Sequence, residues 1–169
     1  GYLWNYAYKT IASCNQILWN LENLEGDEVK IKDLQAQVLA AKAICYLELT
    51  RAFCYPLWMA NDDNTYSMGV PLLKNSNDNS SAIENPPTRA SLQDSFDYII
   101  ELLSSSLEII DDSRTGSEFI TEQGVWAMLA RVYQYTENWE LAKDAAIMAE
   151  SLGGSMSTSL EFIPNMTTR

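Results

Sequence analysis

Two helical runs that meet at a short polar turn fill residues 126–149, and the rest of the chain is organised around them. Trp126 is followed three residues on by Leu129, then by Ala130, and Tyr133 comes three further on. Residues at these intervals share one helix face. A turn at Thr136, Glu137 and Asn138 separates them from Ala142, Ala146 and Ala149, which supply a small face for a returning helix. Ala130 is small enough for the two helices to approach closely. The spacing predicts an antiparallel helical hairpin, and it predicts Trp126 and Trp139 as core residues of that hairpin.

The hairpin resembles a tetratricopeptide repeat, which reads W-x2-L-G-x2-Y, then A-x3-F, and closes on proline. Ala146 stands where the repeat has a large aromatic, and Gly153-Gly154 replaces the proline. A generic helical hairpin, which also needs small residues at its crossing, accounts for the same positions. Both readings give an all-α chain built from helix pairs.

At 169 residues the chain is one domain or a piece of one, long enough to bury a core. Its net charge of −12 argues against a nucleic-acid partner and against docking on anionic lipid through a basic patch. Histidine is absent, which removes the commonest general base and metal ligand and every His-dependent nucleophile pair. Cys14, Cys45 and Cys54 lack C-x-x-C spacing and sit in apolar helical patterns, where free cysteine acts as a small hydrophobe. No apolar run reaches the roughly 18 residues of a membrane span. The abrupt start at Gly1-Tyr2-Leu3-Trp4 and stop at Thr167-Thr168-Arg169 read as an internal fragment of a larger chain, with residues 1–169 a single helical region.

About five main helices are predicted. The first covers residues 4–24, where Trp4, Tyr8, Ile11, Leu18 and Leu21 recur at three- and four-residue steps and Ile17 and Leu24 widen the stripe. The second, 29–53, carries Leu34, Val38, Ala41, Cys45 and Leu49 on one face and Leu39, Tyr46 and Leu47 elsewhere, so burial on two sides is expected. Tyr55-Pro56 stops it. Residues 55–89 read as one long irregular loop holding all but one of the prolines, with Gly69-Val70-Pro71-Leu72-Leu73 laid extended against the helices. Such loops are most often functional or mobile. Ser91 with Asp94 marks a capped third helix. The fourth spans 121–135, and the fifth runs from an Asn138 cap to residue 152.

The order of these signals is more specific than any one of them. Asn15-Gln16-Ile17-Leu18, then Ala40-Ala41-Lys42-Ala43-Ile44-Cys45-Tyr46-Leu47, Tyr55-Pro56, Gly69-Val70-Pro71, Pro87-Thr88-Arg89 and Leu129-Ala130-Arg131-Val132-Tyr133 resemble the SusD/RagB family of Bacteroidetes outer-membrane lipoproteins. Two departures stand out: the usual Arg-Ala of the second helix appears as Ala41-Lys42-Ala43, and the usual Asp-Leu pair as Glu101-Leu102. Both retain charge and apolar pattern. The resemblance implies a non-catalytic cell-surface binder of glycans, or of peptides in RagB-like members. Such a protein is held to the outer membrane by a lipid anchor, uses no cofactor and partners a SusC-like TonB-dependent transporter barrel.

Candidate ligand-binding residues are Tyr55, Trp58 and Tyr66 beside Asn61 and Asp62, with Trp4 a further candidate. Aromatic rings cover the apolar face of a sugar while amides and carboxylates take its hydroxyls. The alternative is that Tyr55 and Trp58 anchor the loop to the helices. Asp62-Asp63-Asn64 and Asn75, Asp78 and Asn79 offer oxygen ligands but lack the glycine and terminal glutamate of a calcium loop, so no metal site is assigned. Carboxylate pairs such as Glu22/Glu25 and Asp111/Asp112 lie at helix ends with no supporting group, and no catalytic residue is assigned. Two rival readings are a tetratricopeptide scaffold binding peptides or a protein partner, and an all-helical glycosidase using two carboxylates.

Overall fold

A computed structural model describes residues 1–60, 66–111, 113 and 118–153. Six α-helices follow one another among these residues: α1 (Tyr2–Leu21), α2 (Glu28–Phe53), α3 (Ser76–Glu84), α4 (Leu92–Leu107), α5 (Glu122–Tyr135) and α6 (Trp139–Ser151). A 3-10 turn, Leu57–Met59, follows α2. The protein is all-α, as the periodicity predicts. α1 packs on α2, α2 on α4, α4 on α5 and α5 on α6, so each long helix lies against the one before it.

Local chemistry sets the helix ends. The Asp27 carboxylate accepts from the Val29 and Lys30 amides and starts α2. Ser91 Oγ accepts from the Asp94 amide at 2.9 Å and Thr121 Oγ1 from the Gly124 amide at 3.1 Å, which start α4 and α5. Each such cap contributes about 1 kcal/mol. Asn138 does not cap α6 as expected: its side-chain amide instead donates to Thr136 Oγ1 at 3.0 Å. α1 ends at Leu21, three residues short of the sequence reading, because Asn23 and Leu24 tighten onto the carbonyls three residues back and leave Leu24 exposed.

α2 is buried on two sides. Ala40, Ala43, Tyr46, Leu47 and Leu49 join Ile11 of α1, Ile99 and Leu103 of α4, and Val125, Leu129 and Val132 of α5 in one core. Burying each large aliphatic side chain here contributes roughly 2 kcal/mol. Leu34, expected on the inner stripe, is exposed. In the hairpin of α5 and α6, Ala130 and Ala142 are buried as expected, but the second small contact of α6 is Ala145, with Ala146 exposed. A three-residue step from Ala142 keeps Ala145 on the inner face; Ala146 rotates past it.

The span 55–89 is less irregular than its composition implies. Met68 pairs with Ser91, the Gly69 amide donates to the Ala90 carbonyl at 2.8 Å, and the Ala90 amide donates to the Val70 carbonyl at 3.2 Å. This extended piece lies on the core, with Val70 and Leu73 buried. Then comes α3, which the sequence conceals. No residue of α3 is buried, so it has no apolar stripe to read. A reciprocal cap between Asn75 and Asp78 holds its start, and Asn79 joins it to α1 through the Ala12 carbonyl and the Asn15 amide.

Candidate functional site

The long α2 helix ends at Phe53 with Cys54 as its cap, and the residues that follow carry exposed aromatics. Pro56 removes a backbone donor and turns the chain into the 3-10 turn Leu57–Met59. Trp58 on that turn is 70% exposed. It does not anchor the loop. Tyr55 is half-exposed and packs edge-on against Tyr66, with ring centroids 4.7 Å apart at 80°.

Arg89 holds this exit from below. Its Nε donates to the Gly69 carbonyl at 2.6 Å and its Nη2 to the Phe53 carbonyl at 2.9 Å. One planar fork therefore ties the last turn of α2 to the extended piece. The Cys54 thiol lies 3.5 Å from the same Nη2, and burial pushes its pKa up. All three cysteines are unpaired, and a protonated, half-buried thiol is a poor nucleophile.

Opposite Trp58 stands Trp139, the first residue of α6. It is 64% exposed, contrary to the core position its spacing predicts. Helical side chains lean toward the helix N-terminus, so a tryptophan at the first position projects beyond its own helix instead of onto α5. Between the two tryptophans is an open groove of about 490 Å³. Its floor and walls come from three parts of the chain: Thr50, Arg51, Cys54, Tyr55, Pro56, Leu57 and Trp58; Phe96; and Gln134, Tyr135, Glu137 and Trp139.

The walls brace one another. Phe96 and Tyr135 stack with centroids 6.4 Å apart at 21°. The Arg51 guanidinium sits 5.8 Å from the centre of the Tyr135 ring and donates to Glu48 Oε1 at 2.7 Å. That hydrogen bond raises the Arg51 pKa further, so its charge is permanent and already matched. Polar edges from Gln134, Glu137, Thr50 and Arg51 thus border five aromatic residues. Such a surface covers an apolar ring face while its edges take hydroxyls.

Of the residues the sequence singles out, Tyr55 and Trp58 line this groove and Tyr66 supports Tyr55. Asn61 and Asp62 lie outside the described residues, as do Asp63 and Asn64. Trp4 is half-buried elsewhere, against Tyr8 at 4.9 Å and Phe53 at 5.0 Å. Asn75 and Asp78, weighed for calcium, are occupied by backbone amides of their own helix start, and Asp78 also accepts from the Lys74 amide. Among the described residues no group of three or more acidic or cysteine side chains is placed to hold a metal ion. No helix among them is long and apolar enough to cross a membrane. Sequence reasoning missed Arg51, Gln134, Tyr135, Glu137 and Trp139 as groove residues.

A stack of paired helices that presents such a groove belongs to the class of helical binding frameworks. A family model for SusD-like proteins, described as starch-binding associating with outer membrane, matches residues 1–134. The chain belongs to this SusD-like family. Among solved structures, it is similar to a putative sugar binding protein from Bacteroides vulgatus (31% identity, TM-score 0.77, covering 88% of this chain and 32% of that one). It is also similar to a SusD-like carbohydrate binding protein from the same species (25%, TM-score 0.79, 94% and 33%). A SusD superfamily protein from Bacteroides thetaiotaomicron shares the fold at 23% identity (TM-score 0.82, 96% and 35%). The chain therefore spans about a third of the length of these relatives. No curated protein matches the sequence.

Proposed function

We propose that this chain forms part of a glycan-capture protein and that the groove between Trp58 and Trp139 holds the sugar. The observation that carries this reading is that two tryptophans from separate parts of the chain, 70% and 64% exposed, line one groove. A large aromatic left in water costs hydrophobic stabilisation, and two lining the same groove are best explained by a ligand that covers them. Membership of the SusD-like family and similarity to a carbohydrate binding protein support a glycan as that ligand. By the same family reading, the whole protein is non-catalytic, sits at the outer membrane on a lipid anchor and delivers its ligand to a TonB-dependent transporter barrel. Tyr66 and Trp4 remain proposed contributors, Tyr66 by setting the tilt of Tyr55 and Trp4 at the start of α1.

The test is calorimetric titration of the intact protein with plant, host and microbial oligosaccharides, repeated with Trp58→Ala and Trp139→Ala. Each substitution is expected to weaken binding by roughly 2 kcal/mol, about thirty-fold. Silence toward every glycan, with binding of peptides instead, would replace this reading with a peptide-binding one. Turnover of any bound glycan would overturn the non-catalytic assignment.

A further inference from the structure

The turn between α5 and α6 contains the one described non-glycine residue in the left-handed backbone region, Glu137, with φ 58°. That region strains any residue with a Cβ, and glycine relieves the strain. The turn is held by its backbone and by Thr136 and Asn138: the Glu137 amide donates to the Gln134 carbonyl at 3.2 Å, the Asn138 amide to the Tyr133 carbonyl at 2.9 Å, the Trp139 amide to the Glu137 carbonyl at 3.0 Å and Thr136 Oγ1 to the Tyr133 carbonyl at 3.2 Å. The Glu137 carboxylate takes no part in the ion pairs among the described residues, so it does nothing to hold this conformation. What it does is line the groove, between Tyr135 and Trp139. The other charged residue of the lining, Arg51, is already matched by Glu48 at 2.7 Å. Glu137 is therefore the uncompensated charge of the groove.

We propose that Glu137 sets the charge selectivity of this groove: it accepts hydrogen bonds from sugar hydroxyls, admits neutral oligosaccharides and turns away chains that carry uronate carboxylates. This rests on the groove being the glycan site. A hydroxyl donating to a carboxylate makes a charge-assisted bond, stronger than one to a neutral acceptor. A ligand carboxylate in the same place meets a like charge, and the one cation of the lining, Arg51, is already paired with Glu48. The net charge of −12 acts in the same direction, but salt at 0.1 M screens charges beyond about 10 Å, which leaves the local carboxylate to decide.

The experiment titrates the intact protein with neutral hexasaccharides of glucose, mannose and galactose and with the corresponding hexuronates, at 0.1 M salt. Wild type is expected to prefer the neutral chain by on the order of ten-fold. Glu137→Gln, which keeps the shape and removes the charge, should bring the two toward parity. Glu137→Gly should raise the melting temperature, because strain is relieved, while weakening the neutral ligand several-fold. If Glu137→Gly stabilises the fold and leaves binding unchanged, or Glu137→Gln keeps the wild-type preference, the role of Glu137 is wrong while the glycan site stands. If neither class of hexamer binds wild type, the glycan reading falls and this inference with it.

Discussion

The Lys42 ammonium, fully buried in the middle of α2, donates to the Tyr98 hydroxyl at 2.8 Å and to the Lys74 carbonyl at 2.9 Å. It also lies 5.3 Å from the centre of the Tyr98 ring, with the Lys74 ammonium 5.0 Å from the same ring. Burial pushes the Lys42 pKa down to about 8, against the pull of surrounding anionic groups. The core of the protein thus holds a titratable charge.

This predicts a pH signature. Above about pH 10.5 the lysine is neutral in both folded and unfolded chains, and burying it carries no charge penalty. As pH falls the unfolded chain takes up the proton first, so stability declines until about pH 8 and levels off below it. Wild type compared with Lys42→Met should therefore gain stability from pH 8 to 10.5, by up to roughly 3 kcal/mol. Urea unfolding of both proteins across that range measures it. A gap that does not change with pH would mean that Lys42 keeps an ordinary pKa.

Tyr46 gives a second prediction. Its buried hydroxyl accepts from the Leu73 amide at 2.8 Å and donates to the Leu73 carbonyl at 3.2 Å, closing both hydrogen-bonding groups of one residue. Tyr46→Phe leaves the Leu73 amide without a partner in the core, while the carbonyl keeps its bond from the Asn15 side-chain amide at 3.0 Å. The expected loss is about 1–3 kcal/mol in chemical denaturation.

Gly69 tests the close approach of the extended piece to α4. A Cβ there would overlap the Ser91 backbone oxygen and carbon and the Ser95 hydroxyl. Backbone on one side cannot rotate away. Gly69→Ala should lower stability by about 1–3 kcal/mol, seen as a fall in melting temperature.

Arg89→Lys is predicted to behave nearly as badly as Arg89→Ala. One ammonium cannot reproduce the fork that reaches both the Gly69 and Phe53 carbonyls. Because the Phe53 carbonyl sits just before Tyr55 and Trp58, the substitution should also weaken glycan affinity by several-fold. Calorimetry beside thermal unfolding separates the two effects.

The helices and their order were readable because α2, α4 and α5 carry apolar residues at helical spacing and begin at Asp27, Ser91 and Thr121. α3 was not, since a helix held by Asn75, Asp78 and Asn79 looks like a loop when only hydrophobic pattern is read. The groove was half readable. Tyr55 and Trp58 stood out as loop aromatics, but Trp139 shares the spacing of a core residue, and only its place at the first position of α6 exposes it. Phe96, Arg51 and Tyr135 meet through packing between helices far apart in sequence, which no local pattern encodes.

The groove draws on the end of α2, on Phe96 of α4 and on the turn that joins α5 to α6. On the proposed reading, a sugar chain lying across it touches the body of the stack and its last hairpin at once. On that reading the site's shape depends on how the hairpin packs against α4, so core substitutions at Val125 or Leu129 would be felt at the groove.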